Sequence, residues 1–420
     1  MRRMPHLEIV LATSLLVGSL LAACVGGNGT KAAASSPPPP PPPVLNTLAL
    51  TVDSGPAAAS GAINHGYVTV KVCAHGSTTQ CASIDHVLAD TGSWGLRLVG
   101  SVLASNKVAL SNESDNSNRL IEECVTFGGG QTWGPVAVAD VTLAGETAAD
   151  LPVQVLDDTL AYAPPPSGCG ANGSLRNSVS DFDANGILGV GVFAQDCGTL
   201  CVAAPTPMAV YYGCTAGTAG VCTAENIPLT AQVTNPVALF AADNNGVIID
   251  LPNLQNANGD ASVQGSLIFG LGTQSDNALP ASDLTVLGTD ANGDFTANFN
   301  GAAALPSWID SGANDYEFAD SSIATCPGPA FVGYYCPATA PLPLSAINTG
   351  VGTYNASSTV QFAVADPNSF LAGAAAFTGL AGGGGSSHFV WGMPYFYGRK
   401  IYVGIDQRTA GVYTGPYFAY

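Results

Sequence analysis

The chain has 420 residues, of which 11 are Lys or Arg and 30 are Asp or Glu, so its formal net charge at pH 7 is −19. Such a charge argues against nucleic acid as a partner, because the phosphate backbone is also negative. The chain contains 50 Gly and 29 Pro, and runs of Val, Thr, Ile and Leu alternate with Gly, Asn and Asp turns. This pattern predicts a mostly β protein.

The first 24 residues predict a secretory signal peptide, because two arginines are followed by the apolar run Ile9–Ala23. The ending Leu21-Ala22-Ala23-Cys24 resembles a bacterial lipobox and implies lipidation of Cys24. The alternative is an ordinary signal peptide with a chance cysteine. Val25, in place of Asp, resembles the pattern that directs lipoproteins to the outer membrane. No later segment has about 18 unbroken apolar residues, so no transmembrane helix is predicted.

Residues 25–46 predict a flexible, proline-rich tether. Pro37–Pro43 is an unbroken run of prolines, which favours a polyproline II rod of roughly 20 Å. About 375 residues follow, which is enough for two domains with substantial cores.

The cysteine count predicts a disulfide-bonded, exported protein. Of 11 cysteines, lipidation of Cys24 leaves an even number for the oxidising compartment. Closeness in sequence suggests four pairs, and the two remaining cysteines form the fifth, although sequence cannot fix connectivity. The hypothetical pairs are Cys73–Cys81, Cys124–Cys169, Cys197–Cys201, Cys214–Cys222 and Cys326–Cys336. No pair has C-x-x-C spacing and no histidine clusters with them, so no metal site is expected.

Two similar triplets follow apolar strand-like runs. Asp90-Thr91-Gly92-Ser93 follows Val87-Leu88-Ala89, and Asp310-Ser311-Gly312-Ala313 follows Trp308-Ile309. A third copy, Asp53-Ser54-Gly55, precedes Pro56 and predicts a turn after a first strand.

Each of the two triplets has an apolar-apolar-Gly partner downstream. Gly189 closes Ile187-Leu188-Gly189, 99 residues after Asp90 (189 − 90), and Gly392 closes Val390-Trp391-Gly392, 82 residues after Asp310 (392 − 310). Asp53 has no separate partner of this kind. The pattern therefore predicts an internal repeat that delivers one carboxylate from each half.

The order of these motifs resembles that of pepsin-like aspartic peptidases over roughly residues 60–410. Residues 66–72 resemble the family's opening strand, 85–93 its first catalytic strand and loop, 265–270 the strand into the second lobe, and 390–404 its closing segment. The resemblance implies an all-β, bilobal fold, with two pseudo-twofold-related, barrel-like lobes and a cleft between them. The expected lobes are residues 47–240 and 241–420. The chain also resembles an uncharacterised bacterial lipoprotein family that carries a domain of unknown function.

The resemblance implies a catalytic pair, Asp90 and Asp310, in which one carboxyl stays protonated because two close like charges do not both ionise. Such a pair activates a water and polarises the scissile carbonyl without a cofactor. Gly189 and Gly392 would close the two psi loops of the fold.

The residues after each aspartate have implied supporting roles. Thr91 and Ser311 would cross-link the two loops, while Gly92 and Gly312 let the backbone approach the carboxylates. Ser93 would bond the outer oxygen of Asp90. Ala313 lacks a hydroxyl for Asp310, so we expect that carboxylate to be less stabilised and the active range to move towards higher pH.

The flap that covers the family's cleft corresponds to Val125–Trp133. Phe127 stands where the family has a tyrosine, and Trp133 is a candidate donor in place of the missing hydroxyl. Arg97 is expected either near the cleft, where it would favour acidic substrate side chains, or as a solvated strand residue. Asp290–Asp294 resembles part of a calcium loop but lacks the distal acid, which favours an exposed turn.

These features predict a monomeric aspartic endopeptidase, tethered through Cys24 to the bacterial outer membrane, that acts on a peptide or protein substrate. The alternative is a non-catalytic peptide- or protein-binding lipoprotein on the same fold, because a fold does not determine a function. A third possibility is a structural lipoprotein of the envelope in which the triplets are only turns.

Overall fold

A computed structural model describes residues 45–169, 175–203, 210–217, 219–280, 282–385 and 387–420. They fall within one compact unit, Val44–Tyr420. The predicted signal peptide, Cys24 and nearly all of the tether lie outside the described residues. No helix in the described part of the chain is long and apolar enough to span a membrane.

The prediction of a mostly β protein is confirmed, since 43% of the chain is strand and 8% is helix. The strands are β1 (Thr47–Val52), β2 (Gly66–Ala74), β3 (Cys81–Asp90), β4 (Trp94–Val99), β5 (Ser111–Asn112), β6 (Leu120–Phe127), β7 (Gly130–Leu143), β8 (Glu146–Leu156), β9 (Gly186–Val190), β10 (Tyr211–Cys214), β11 (Cys222–Ala224), β12 (Gly246–Leu251), β13 (Val263–Phe269), β14 (Val286–Gly288), β15 (Phe295–Phe299), β16 (Ala302–Ile309), β17 (Tyr316–Phe318), β18 (Leu342–Thr349), β19 (Ser357–Val364), β20 (Ala381–Gly383), β21 (Phe389–Trp391), β22 (Arg399–Gly404), β23 (Thr409–Ala410), β24 (Tyr413–Thr414) and β25 (Tyr417–Ala419). The helices are α1 (Gly100–Ser105), α2 (Val179–Phe182) and α3 (Leu200–Ala203), with short 3-10 turns at Ala57–Ala59, Leu229–Ala231, Pro236–Leu239, Pro367–Ser369 and Met393–Tyr395.

Six strands close into a ring, here called the N-terminal barrel. Its order is β2-β3-β9-β4-β8-β7, and β7 pairs again with β2. Strand β9 lies between β3, to which it is parallel, and β4, to which it is antiparallel. All five of its residues, Gly-Ile-Leu-Gly-Val, are buried, as expected for a short unbroken apolar run inside a sheet.

The second half of the chain repeats this insertion in a seven-stranded sheet, here called the C-terminal sheet. Its order is β19-β18-β15-β16-β21-β17-β20. Strand β21 lies between β16, to which it is parallel, and β17, to which it is antiparallel. Because β16 leads into Asp310 as β3 leads into Asp90, the internal repeat is present in the strand pairing.

A central sheet joins the two halves. From β2 it continues through β1, β13, β12, β22 and β25 to β14. The long-range pairing of β1 with β13 runs antiparallel from Thr47↔Ile268 to Val52↔Val263. One hydrophobic cluster extends through the barrel, the central sheet and the C-terminal sheet, with Leu50, Leu267 and Phe389 all fully buried. The two halves therefore share one hydrophobic core.

The ten cysteines that the structure describes form five disulfides, and the predicted pairing is confirmed. The bonds are Cys73–Cys81, Cys124–Cys169, Cys197–Cys201, Cys214–Cys222 and Cys326–Cys336. The first and fourth lie directly across antiparallel strand pairs.

The disulfides should contribute unequally to stability, because a cross-link that closes a longer loop removes more conformational entropy from the unfolded chain. Cys124–Cys169 spans 45 residues and Cys197–Cys201 spans 4. Replacing the first pair by alanines should lower the free energy of unfolding by about 4 kcal/mol, and replacing the second by about 2 kcal/mol. Denaturant unfolding measures both, with non-reducing peptide mapping as the check on pairing. Equal losses would contradict the loop-length argument.

Candidate active site

Two loops meet at the ends of β3 and β16, and they are joined by four reciprocal hydrogen bonds. The Thr91 hydroxyl accepts from the Ser311 N–H at 3.0 Å and donates to the Ile309 carbonyl at 2.7 Å. The Ser311 hydroxyl accepts from the Thr91 N–H at 3.0 Å and donates to the Ala89 carbonyl at 2.7 Å. Both hydroxyl side chains are buried, so each one satisfies backbone groups that water cannot reach.

The same contact brings Asp90 and Asp310 into side-chain hydrogen-bonding reach of each other. The glycine of each triplet lies against the carboxyl group of the other. A Cβ added to Gly312 would lie 2.6 Å from Asp90 Oδ1, and a Cβ added to Gly92 would overlap Asp310 Oδ2. Glycine is therefore required at both positions for the two carboxyl groups to meet.

Each carboxyl group has one oxygen held by backbone N–H groups and the other held by a side chain. Asp90 Oδ1 accepts from Gly92 N at 2.8 Å, and its Oδ2 accepts from Ser93 Oγ at 2.5 Å. Asp310 Oδ1 accepts from Gly312 N at 2.8 Å and Ala313 N at 3.1 Å.

The second oxygen of Asp310 is not left without a donor, which corrects one expectation from the sequence. Trp308 Nε1 donates to Asp310 Oδ2 at 3.1 Å. Ala313 does lack a hydroxyl, but an indole on the preceding strand occupies the place that we expected to be vacant.

The electrostatics of the pair favour a single shared proton. Burial, and after it the adjacent charge of Asp310, raise the pKa of Asp90 to about 8 against the lowering effect of the hydrogen bond from Ser93. Since two like charges in contact do not both ionise, the pair titrates as one coupled unit. Over the acidic to neutral range, the pair can present a protonated and an ionised carboxyl group side by side. These are the two groups that general acid–base catalysis needs, one to donate and one to accept a proton.

The pair lies in a cavity of about 1040 Å³ that both halves of the chain line. The first half of the chain contributes Ser93 and Phe127, while Tyr334 and Val390 come from the second half. The cavity is large enough for several residues of an extended peptide, since ligand sites usually enclose 300–1,000 Å³.

A family described as "Protein of unknown function (DUF3443)" matches residues 42–420. The chain belongs to this family. No curated protein matches the chain. The family's description names no activity.

In this member of the DUF3443 family, Gly189 and Gly392 lie where the repeat requires them. Gly189 pairs with Asp90 in the parallel register of β3 and β9, and its added Cβ would lie 2.6 Å from Trp94 N. Gly392 follows β21, and its added Cβ would overlap the Asp315 carbonyl.

The third triplet stays outside this arrangement. It follows β1 as a turn in which Asp53 Oδ1 accepts from Gly55 N at 2.9 Å, and Gly55 has a φ of 85°. The predicted turn after the first strand is therefore confirmed. Asp53 does not line the cavity.

The hairpin of β6 and β7 carries Phe127 to the cavity wall. Its ring packs edge-on against Phe182, with centroids 5.8 Å apart, and the Arg97 guanidinium lies 5.5 Å from its centre.

The prediction that Trp133 supplies a donor over the cleft is wrong. Trp133 is 1% exposed and packs against Tyr212 and the Cys124–Cys169 pair, and its indole donates to the Ala163 carbonyl at 2.8 Å. It lies six residues after Phe127 on the hairpin (133 − 127), and its face of the strand points into the core.

Arg97 lines the cavity, as one of the two expectations placed it, but it is 1% exposed and therefore not a solvated strand residue. Its charge is already paired within the protein. One guanidinium nitrogen lies 2.9 Å from Glu123 and 2.9 Å from Asp196. A second nitrogen donates to the Trp94 carbonyl. Arg97 therefore supports the cavity wall at Phe127, and its charge is not available to bind a substrate.

Sequence reasoning missed two side chains that line the cavity, Trp308 and Glu317, and it placed a third, Asp294, only in an exposed turn. Burial and then the charge of Asp310 raise the pKa of Glu317, and burial and then Asp290 raise the pKa of Asp294 to about 6. Trp308 could have been found, because residues two apart on a strand share a face.

The expectation of no metal or cofactor stays a prediction. Within the described ranges, Glu122 lies near Cys214 and Cys222, but those cysteines are joined in a disulfide and offer no thiolate. His75, Asp140 and Asp150 also approach one another on the surface, away from the cavity. The predicted turn at Asp290–Asp294 is present, with Asp290 Oδ1 accepting from Asn292 N at 2.8 Å.

Proposed function

We propose that this protein is an aspartic endopeptidase of pepsin-like, bilobal fold. One observation carries the proposal: Asp90 and Asp310 lie within hydrogen-bonding reach of each other in a cavity between two halves of the chain. The repeated insertion of β9 beside β3 and of β21 beside β16 supports the fold, because β3 and β16 each lead into one of the two acids.

The proposed reaction is hydrolysis of a peptide bond by a water held between the two carboxyl groups. Burial favours the protonated form of Asp90, so Asp90 donates its proton towards the scissile carbonyl while ionised Asp310 takes a proton from the attacking water. The resulting tetrahedral intermediate collapses when Asp310 passes the proton that it took from the water to the leaving nitrogen. The C–N bond breaks, and Asp90 takes a proton back from a hydroxyl of the intermediate as the carbonyl re-forms. No covalent bond to the enzyme is formed.

The proposal includes the cellular location and the membrane anchor of the enzyme. Lipidation at Cys24 and the tether would hold a monomer at the outer membrane of the bacterial envelope, where five disulfides are stable. The substrate would be a peptide or protein chain. A non-catalytic binding protein is the second candidate, and the observation that favours it is that Phe127, on the cavity wall, has no hydroxyl.

A peptide-library cleavage assay from acidic to neutral pH tests the proposal, with pepstatin-type inhibition as the mechanistic check. We expect endoproteolytic products that the inhibitor suppresses. Peptides that bind without being cleaved would support the binding protein instead. The absence of both cleavage and binding would contradict both candidates.

The proposal also predicts the pH dependence of activity and stability. Activity should fall as pH rises through about 8, where Asp90 loses its proton and the pair becomes doubly ionised. Between its ordinary value of 3.8 and about 8, the folded chain holds a proton at Asp90 that the unfolded chain has released. The free energy of unfolding should therefore decrease with rising pH across this window.

The pH dependence is measured as kcat/KM and as the midpoint of denaturant unfolding at several pH values. In Asp90→Asn, the decrease in the free energy of unfolding that Asp90 causes between pH 3.8 and about 8 should be absent. In Asp53→Asn, a change in the third triplet, this decrease should remain. Activity that persists well above pH 8, or a parallel stability curve for Asp90→Asn, would contradict the prediction.

A further inference from the structure

We propose that Trp308 is a positioning residue that replaces the hydroxyl missing at Ala313 and holds Asp310 Oδ2 as a permanent hydrogen-bond acceptor. This inference rests on the proposed function, and it identifies a side chain that the resemblance to pepsin-like enzymes does not supply. It is carried by the geometry around the two carboxyl groups.

The two carboxyl groups are held in equivalent ways by different chemistry. The outer oxygen of Asp90 is bonded by Ser93, three residues later, and that of Asp310 is bonded by Trp308, two residues earlier. The position that corresponds to Ser93 in the second triplet is Ala313, which offers only its backbone N–H, and that group bonds the other oxygen.

The indole is fixed in place by its neighbours. Trp308 is half-buried on β16, and its ring lies against the ring of His388, with centroids 5.4 Å apart and a 39° tilt. His388 Nε2 lies 3.8 Å from Glu317 Oε2. Because β16 pairs with β21 at Trp308↔Val390, the strand register sets the position of the indole.

An indole N–H differs from a hydroxyl in one respect that matters for the pair. A serine hydroxyl can rotate and accept a hydrogen bond from a protonated carboxyl group, whereas an indole N–H only donates. Asp310 Oδ2 therefore faces a donor at every pH and is an unfavourable site for the shared proton. The result is an asymmetric pair, in which the proton is directed towards Asp90.

The first test is the indole ¹⁵N–¹H resonance of Trp308, followed by NMR in the full chain from acidic to alkaline pH. The ionisable groups around Trp308 are Asp310 and Asp90, with His388 against its ring and Glu317 and Asp294 beyond His388. In a His388→Asn background, the resonance should still shift with the ionisation of the pair. A flat resonance in that background would overturn the inference, and this readout does not require activity.

The second test is the pH profile of kcat/KM for Trp308→Phe, which removes the donor and keeps an aromatic ring. The acidic limb should move upward by about one pH unit, because a carboxylate that loses a donor becomes easier to protonate. The double variant Trp308→Phe/Ala313→Ser should move it back, since the new hydroxyl occupies the position that Ser93 has beside Asp90.

Trp133→Phe is the matched control, because it removes a buried indole N–H that does not face the cavity. Its pH profile should coincide with that of the unmodified protein. A wild-type chain that cleaves peptides while Trp308→Phe leaves the profile unmoved would overturn the inference and leave the proposed function standing. A wild-type chain that cleaves nothing while the indole resonance titrates would refute the proposed function and support the contact.

Discussion

Replacing Asp90 or Asp310 by asparagine should reduce peptide hydrolysis by at least about 10³-fold. Asparagine keeps the shape of the side chain, but it can neither take a proton from water nor share one with the remaining acid. Because the two carboxyl groups act as one unit, the double replacement should cost little more than either single one. The measurement is kcat/KM for a peptide found by library cleavage.

The chain contains its own control for this experiment. Asp53 sits in the same Asp-hydroxyl-Gly sequence, and its carboxylate bonds the following glycine N–H at 2.9 Å, as Asp90 does at 2.8 Å. It does not line the cavity. Asp53→Asn should therefore leave kcat/KM unchanged. Full activity in Asp90→Asn or Asp310→Asn would exclude the pair from catalysis.

The asparagine variants should also differ from the parent in stability. Burial is the largest cause of the raised pKa of Asp90, and the charge of Asp310 is the second. Asp310→Asn removes this second cause. The pKa of Asp90 in the folded chain should therefore fall towards its value in the unfolded chain. As a result, the free energy of unfolding at neutral pH should be higher than in the parent protein. A protein that loses activity and becomes more stable at neutral pH would show that the two acids are held together against their repulsion.

Much of the site could be predicted from the sequence, because the signals were local and repeated. An apolar run, an acid, a hydroxyl and a glycine occur twice with an apolar-apolar-Gly partner, and chance supplies such a combination far less easily than a single triplet. The disulfides were predictable for a similar reason, since four pairs lie within ten residues of each other.

The errors concern side chains whose partners are distant in sequence. Arg97 was expected to be solvated or free, but Asp196, 99 residues away, neutralises it. Trp133 bonds Ala163, 30 residues away. Neither partner is visible from the local pattern, because strand pairing and the Cys124–Cys169 bond bring them together. Trp308 was overlooked for a different reason: it was treated as an apolar lead-in, although in extended backbone a residue two positions before Asp310 points to the same side of the chain.

The second large effect is expected at the contact between the loops, where Thr91→Val should lower the free energy of unfolding by about 2–4 kcal/mol. Valine has nearly the same shape as threonine, so the change removes the hydroxyl and little else. The Ser311 N–H and the Ile309 carbonyl then lose their partners, and both groups are buried where water cannot replace them. Ser311→Ala should have a similar cost through Thr91 N and Ala89.

This loss should appear in activity as well as in stability, because the same four hydrogen bonds set the distance between the two carboxyl groups. A displacement of about 1 Å in a catalytic group can lower a rate by about 10²-fold. Thr91→Ser retains the hydroxyl and should preserve most of both properties. Thr147→Val removes an exposed hydroxyl bonded to Thr142 and should change the free energy of unfolding by less than about 0.5 kcal/mol. If Thr91→Val were as mild as Thr147→Val, the loops would be held together by the shared core, and the paired hydroxyl groups would not be the device that aligns the two acids.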